Sequence, residues 1–220
     1  MTIDPSVLRS AAAQGEELDG LRERILAAAE GAFFERGFHA TVMDTIARRA
    51  GCSKKTIYKL FESKDALFSA LLQRVGRDVR AIPVDATLPP TEALCDFLQA
   101  LARVILRGTS VALTRMVMAE VARGRDHTQQ ACQPDIGTKS LLVLEDYLDW
   151  LQRRGEYEFG VPALASRMLV GMALGAFHHE VLIGVLEEVP EPVLIQRIQQ
   201  SVRVFLRGSG AGGAAHDSPG

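Results

Sequence analysis

Four lysines, Lys54, Lys55, Lys59 and Lys64, fall within eleven residues of the stretch "AGCSKKTIYKLFESKDALFSALL" (Ala50–Leu72), interleaved with Ser53, Thr56 and Tyr58. Such a set suits phosphate oxygens and base edges: the ammonium groups supply charge, and the hydroxyls and the phenol add hydrogen bonds. A solvated helix face could carry the same residues. The charge distribution bears on the choice. The net charge is −2, yet residues 21–80 hold 12 Lys and Arg against 7 Asp and Glu, while the remainder holds 13 against 20. A basic block on an acidic body is the pattern of a chain that meets a polyanion at one end.

Other reactive side chains do not assemble into a catalytic pattern. Ser110, Asp126 and His127 lack a G-x-S-x-G elbow. His178 and His179 are adjacent, so on a helix they point about 100° apart and cannot share a metal. The three cysteines, Cys52, Cys95 and Cys132, have no metal-ligand spacing, and their odd number argues against a disulfide framework and for a reducing cytoplasm. There is no glycine-rich phosphate loop. The expectation is therefore no enzyme, no metal and no cofactor. Arg115 and Glu120 fall in a helix with little other charge, where either orients a ligand or is simply solvated.

The elements that must position these residues are helical. Leu21, Ile25, Leu26, Ala29, Phe33 and Phe34 recur at helical spacing and predict a helix over about 20–36, stopped by Gly37. Thr41 followed by Asp44 reads as a capping box opening a second helix, with Val42, Ile46 and Ala50 as its buried face. Gly51 ends that helix, Ser53 caps the very short helix 54–59, and Ser63 caps a longer one through Val75. "IPVDATLPP" (Ile82–Pro90) cannot continue a helix and reads as a joint. Further helices are expected over 91–107, 110–123, about 136–154 after a break at Pro134, from Pro162 to about 188, and over about 191–207. No stretch alternates like a strand. The fold class is all-α with about nine helices: a lead over 1–19 expected to be disordered, a head over 20–81, a body over 82–207 and a disordered tail over 208–220. No run of 18 apolar residues or signal-like segment occurs, so no membrane partner is expected.

Two short helices joined by a tight turn at Gly51 fit a helix-turn-helix. Ile46 and Ile57 would pack inward on Leu26 and Phe33, leaving Lys54, Lys55, Thr56, Tyr58 and Lys59 on the outside, where such a helix enters a major groove. "ILAAAEGAFFERGFHATVMDTIARRAGCSKKTIYKLFESKDALFSALL" (Ile25–Leu72) resembles the DNA-binding domain of the tetracycline-repressor-like (TetR/AcrR) bacterial regulators, with the order "A…F…RGF…T…IA..AG.S..T.Y..F.SK..L" intact. It departs at Leu60, where His is frequent, and at Cys52, where Val is common. The resemblance implies phosphate contacts by Thr41, Lys54, Tyr58 and Lys64, and a recognition face of Lys55, Thr56 and Lys59, with Ser53 beside them. Lys64 in the first turn of its helix is badly placed for the helix dipole, and a phosphate there would relieve it.

The family likeness further implies a homodimeric repressor on double-stranded operator DNA, released by a small apolar or amphipathic effector. Leu94, Phe97, Leu101, Met116, Glu120, Tyr147, Trp150 and Met168 are the candidate effector lining, against ordinary core packing. The helix "LVGMALGAFHHEVLIG" is apolar nearly all round. With the last helix it implies a dimer interface of Gly171, Gly175, Phe177, His178, Leu182, Val193, Ile198 and Val202, against burial within one chain. Two rival readings stand beside this one. One is a family member that activates without a ligand. The other is an all-α enzyme or protein-interaction module with a basic helix hairpin.

Overall fold

A computed structural model describes residues 5–123 and 141–210, with side chains from residue 17. Pro134, Asp126, His127, Cys132 and the 211–220 tail lie outside the described residues. Helices account for most of the described residues: α1 (Pro5–Ala40), α2 (Met43–Ala50), α3 (Lys54–Leu60), α4 (Lys64–Arg80), α5 (Pro90–Ile105), α6 (Gly108–Ala122), α7 (Leu142–Arg153), α8 (Pro162–Val170), α9 (Ala176–Leu182) and α10 (Glu191–Gly208). A π-helical turn, Gly171–Gly175, joins α8 to α9, so these form one continuous rod and the helical rods number nine among the described residues. The only extended pairing among them is an isolated antiparallel bridge between Tyr157 and Gly210. The chain is all-α, as the periodicity predicts.

Two compact units divide the described chain. The first holds residues up to Leu72 together with the 119–123 end of α6. The second holds Gln73–Met118 and the residues from 141 onward. The break thus falls inside α4, ahead of the Ile82–Pro90 joint where the sequence suggests it.

In the first unit, α1 is helical from Pro5, through most of the segment expected to be a disordered lead. Gly37, at φ 75°, breaks the helix where the sequence places the stop. Ile25, Leu26, Ala29 and Phe33 are fully buried, as are Ile46 and Ile57 opposite them. Phe34 and Val42 are exposed instead of buried. Phe33, Phe38 and Phe68 form an aromatic cluster with ring centroids 5.1–5.9 Å apart. A paired Arg49–Glu35 fork ties α2 to α1.

The second unit has its core on α5, α7, the rod and α10: Leu94, Phe97, Leu98, Leu144, Leu148, Leu169, Leu174, Ile198 and Val202 share one cluster. α10 packs on α5 and on the π-turn, and α7 packs on α8. A π-turn displaces the backbone bonding by one residue and frees a carbonyl. Here Arg197 Nε donates to the Met172 carbonyl at 3.0 Å. The C-terminal end of α9 is closed by Arg115, whose Nε and Nη2 donate to the carbonyls of Leu182 (2.8 Å) and Val181 (2.6 Å). Arg115 is thus a helix cap and not a ligand-orienting charge. Replacing it with Met should cost about 1–2 kcal/mol, since two charge-assisted bonds at a partly exposed helix end are lost. Thermal unfolding of Arg115→Met checks this.

Candidate DNA-binding face and ligand cavity

The turn between α2 and α3 is built by local chemistry. Gly51 adopts the left-handed conformation (φ 66°, ψ 35°), and the Cys52 N–H donates to the Ala47 carbonyl at 3.1 Å, closing the α2 end. Ser53 is the α3 N-cap: its Oγ accepts from the Thr56 N–H at 3.0 Å and pairs with Thr56 Oγ1 at 2.7 Å. Ile57 is fully buried and Phe61, the C-cap residue, is nearly so, with the Arg22 guanidinium 4.5 Å above its ring. These two anchors fix which side of α3 faces out. Lys54, Tyr58, Lys55 and Lys59 then occupy an exposed arc of about 140° at 3.6 residues per turn. Three cations and a phenol on one open face form a surface for phosphate and base edges. Lys54 also pairs with Asp44 at 3.2 Å, an exposed contact that holds it weakly.

Thr41 and Lys64 depart from expectation. Thr41 is 1% exposed, and its hydroxyl is directed back into α1, within 2.8 Å of the Gly37 carbonyl and 3.0 Å of the Ala32 carbonyl. It does not cap α2. Val42 occupies the N-cap position there, without a side-chain bond. The Lys64 ammonium donates to the carbonyls of Phe38 (2.7 Å) and Thr41 (3.0 Å), approaches that of His39 (3.4 Å), and lies 4.5 Å over the Phe38 ring. The carbonyls left at the α1 end attract this cation more effectively than solvent, so its charge is already engaged within the fold.

Glu120 also departs from its expected role. Its carboxylate is 4% exposed, belongs to the first unit, and is bonded by His39 Nε2 at 2.6 Å and Arg123 Nη1 at 2.8 Å. It lines no cavity.

In the second unit, an apolar recess of about 230 Å³ is lined by Val75, Gly76, Val79, Leu101, Ile105, Ser110, Thr114, Leu141, Val170 and His178. Of the eight proposed lining residues only Leu101 belongs to it. Leu94, Phe97 and Tyr147 are buried in the core. Met116 is half-buried elsewhere, and Met168 is exposed. Trp150 is exposed on the surface, stacked on Tyr147 at 5.7 Å with the Arg154 guanidinium 4.5 Å from its ring. Val75 and Val79 were missed because α4 was assigned whole to the head. Their i, i+4 spacing beyond Leu72 is the signal that finds them. Two larger grooves of about 350 and 370 Å³ carry charged rims, Arg103, Arg107, Glu188 and Glu191 in one and Glu92, Asp96 and Arg203 in the other. The smaller recess differs from both in its lining, which is apolar apart from Ser110, Thr114 and His178.

The interface candidates divide three ways. Gly171, Gly175 and Val193 are exposed. Phe177 and Leu182 are half-buried against a small cluster of Val111, Val181 and Val189. Ile198 and Val202 are fully buried in the core, with no surface left for a partner, and His178 lines the recess. Burial holds the His178 imidazole below its ordinary value. Among the described residues no cluster of His, Cys, Asp or Glu could hold a metal, and no helix is long and apolar enough to cross a membrane.

Two family models match the chain: bacterial regulatory proteins of the TetR family over residues 25–71, and the C-terminal domain of AefR-like transcriptional repressors over residues 92–209. Over 56 residues the chain is 50% identical to the HTH-type transcriptional activator FasR of Mycolicibacterium smegmatis, a match covering 26% of this chain and 26% of FasR. The chain thus spans about a quarter of that relative's length. A solved TetR-family regulator from Mesorhizobium loti superposes with a TM-score of 0.78 at 25% identity, over 88% of this chain and 98% of that one. The flavonoid-responsive regulator FrrA superposes at 0.71 with 26% identity, over 87% and 98%.

Two outcomes are expected. Lys55→Ala and Lys59→Ala should each make the salt dependence of duplex binding shallower by about 1 in log–log slope, with unfolding unchanged. Lys64→Ala should leave that slope alone and lower stability by about 1–3 kcal/mol, because carbonyls at the α1 end lose their donor. Fluorescence anisotropy across salt, beside thermal melts, separates the two roles. The lowered His178 value also has a sign. Unfolded, the imidazole takes a proton near pH ~6.5. Folded, it resists until lower pH, so the unfolded chain binds more protons in that window and stability falls as pH drops through it. His178→Leu should remove part of this dependence in melting curves taken from pH ~7.5 down to ~5.5.

Proposed function

We propose that this chain, which belongs to the TetR family of bacterial regulatory proteins, works in the cytoplasm as a homodimeric, ligand-responsive repressor of transcription. The observation that carries its DNA-binding side is the exposed arc of Lys54, Lys55, Tyr58 and Lys59, held outward by Ile57 and Phe61. Two such faces, one per protomer, would meet successive major grooves of a near-palindromic operator. Selection of bound sequences from a random duplex pool tests this reading: a two-half-site consensus supports it, and recovery of unrelated sequences overturns it.

Repression is favoured over activation by the body, whose matching family is one of transcriptional repressors. FasR, an activator, matches the chain over 56 residues, about a quarter of each, too little to carry over the sign of regulation. Transcription in vitro from a promoter carrying the selected operator decides: repression lowers transcript yield on adding the protein, activation raises it.

The dimer reading rests on the rod. Leu164, Met168, Gly171 and Gly175 recur along it at spacings of four, three and four, all exposed, and Val193 and Val204 of α10 are exposed as well. A Cβ placed at Gly171 or Gly175 meets nothing of its own chain within 4 Å. Intrachain packing therefore does not require these glycines, while close approach of a second copy would. Ligand responsiveness is supported by the apolar recess and by the description of FrrA as flavonoid-responsive. The effector would favour the conformation that does not fit the operator, since equal affinity for both states shifts nothing.

Gly175→Glu is the test of the interface. The open space at Gly175 lets each chain fold as before, and a charge buried between two copies costs several-fold to many-fold in dimer affinity. Sedimentation should show a folded monomer. A dimer as tight as the parent's removes this face from the interface.

A further inference from the structure

The second-unit recess restricts the chemistry of what it can hold. Val75, Val79, Leu101, Ile105, Leu141 and Val170 make its wall, and no Lys, Arg, Asp or Glu belongs to it. Three polar residues line the same space: Ser110, Thr114 and His178. The Thr114 hydroxyl donates its hydrogen to the Ser110 carbonyl at 2.9 Å, so it offers a ligand only a lone pair. Ser110 is buried. His178, kept from protonating by its burial, presents one ring N–H and one ring lone pair at neutral pH. The space is also small. At about 230 Å³ it has room for roughly eight times a water's share of liquid volume, below the range of drug-sized pockets.

We infer that this recess takes a compact, uncharged and mainly apolar molecule, about one ring in size, carrying a single hydroxyl-type group that hydrogen-bonds to His178. An ionised carboxylate or ammonium would meet no counter-charge there and would give up part of its hydration, a cost that contact with six aliphatic side chains does not offset. A purely apolar ring would fit the wall but leave the polar groups around His178 without a partner. A hydroxyl satisfies both, because it donates to the ring lone pair while its carbon skeleton fills the rest. The inference rests on the reading of the second unit as a ligand-sensing body, and deepens it to a ligand class.

The test uses the full chain and four probes on one skeleton: para-cresol, para-xylene, para-toluate and para-methylbenzylamine. Near neutral pH the cresol is uncharged, since phenols titrate at about 10. Calorimetric titration should rank para-cresol tightest, with toluate and the amine at least tenfold weaker. His178→Leu should bring cresol down to the affinity of xylene and leave xylene unchanged. Val79→Trp should fill the recess and abolish binding of all four. Nuclear Overhauser contacts from the cresol methyl to the Val75 and Val79 methyls locate the ligand in the parent chain, whatever the folding of the variants. The inference is overturned if the acid or the amine binds as tightly as cresol, if His178→Leu keeps the cresol preference, or if no probe contacts Val75 or Val79. Operator affinity is measured with the same compounds. Cresol in the recess with DNA affinity unchanged leaves the ligand class standing and removes the sensor reading; operator release by a charged probe that stays out of the recess overturns the ligand class and leaves sensing in place.

Discussion

Helix α1 has to end before α2 can cross it, and a helix end leaves carbonyl oxygens without intrahelical partners. Gly37 makes the break by taking a positive φ, and three side-chain solutions then close the corner. Thr41 turns its hydroxyl back on α1, the Lys64 ammonium gathers the Phe38 and Thr41 carbonyls, and the Phe38 ring lies under that cation against Phe33 and Phe68. The direction of α2, and through the Gly51 turn that of α3, follows from this corner. A cation that the helix dipole disfavours at the start of α4 is tolerated because carbonyl groups from the preceding corner solvate it. The exposed face of α3 therefore depends on a lysine that is engaged by carbonyls of its own unit.

The rod of α8 and α9 presents two different sides in the second unit. Val170 and His178, on either side of the π-turn, reach the apolar recess, while Gly171 and Gly175 within the turn are exposed. The displaced bonding of the turn is supported by Arg197 at the Met172 carbonyl, and the far end of the rod is closed by Arg115. Arg197 and Arg115 thus hold the element that carries both the recess lining and the open glycine face.

Periodicity made the helices legible, and local turn chemistry made the head legible in detail. Gly37, Gly51 and Ser53 do in the structure what their types imply, because a positive φ and an N-cap are decided within a few residues. The Thr41–Asp44 box failed for the opposite reason: carbonyls nine and four residues back in α1 compete for the same hydroxyl, and no local pattern reveals them. The body was less legible. Apolar residues at helical spacing identify a buried face without saying what it is buried against, so Leu94, Phe97, Ile198 and Val202 read equally well as pocket, interface or core and proved to be core.

The sequence by itself determined the all-α class, the helix-turn-helix with its outward lysines, and the glycine-rich character of the rod, since each follows from spacing and backbone preference along the chain. Only the tertiary structure decided that Lys64 binds carbonyls, that Glu120 joins His39 and Arg123 in the first unit, and that Val75, Val79 and His178 enclose the recess. Each of these is a meeting of side chains far apart in sequence. Such a meeting depends on which helix faces cross, and the crossing is set by packing the whole core at once.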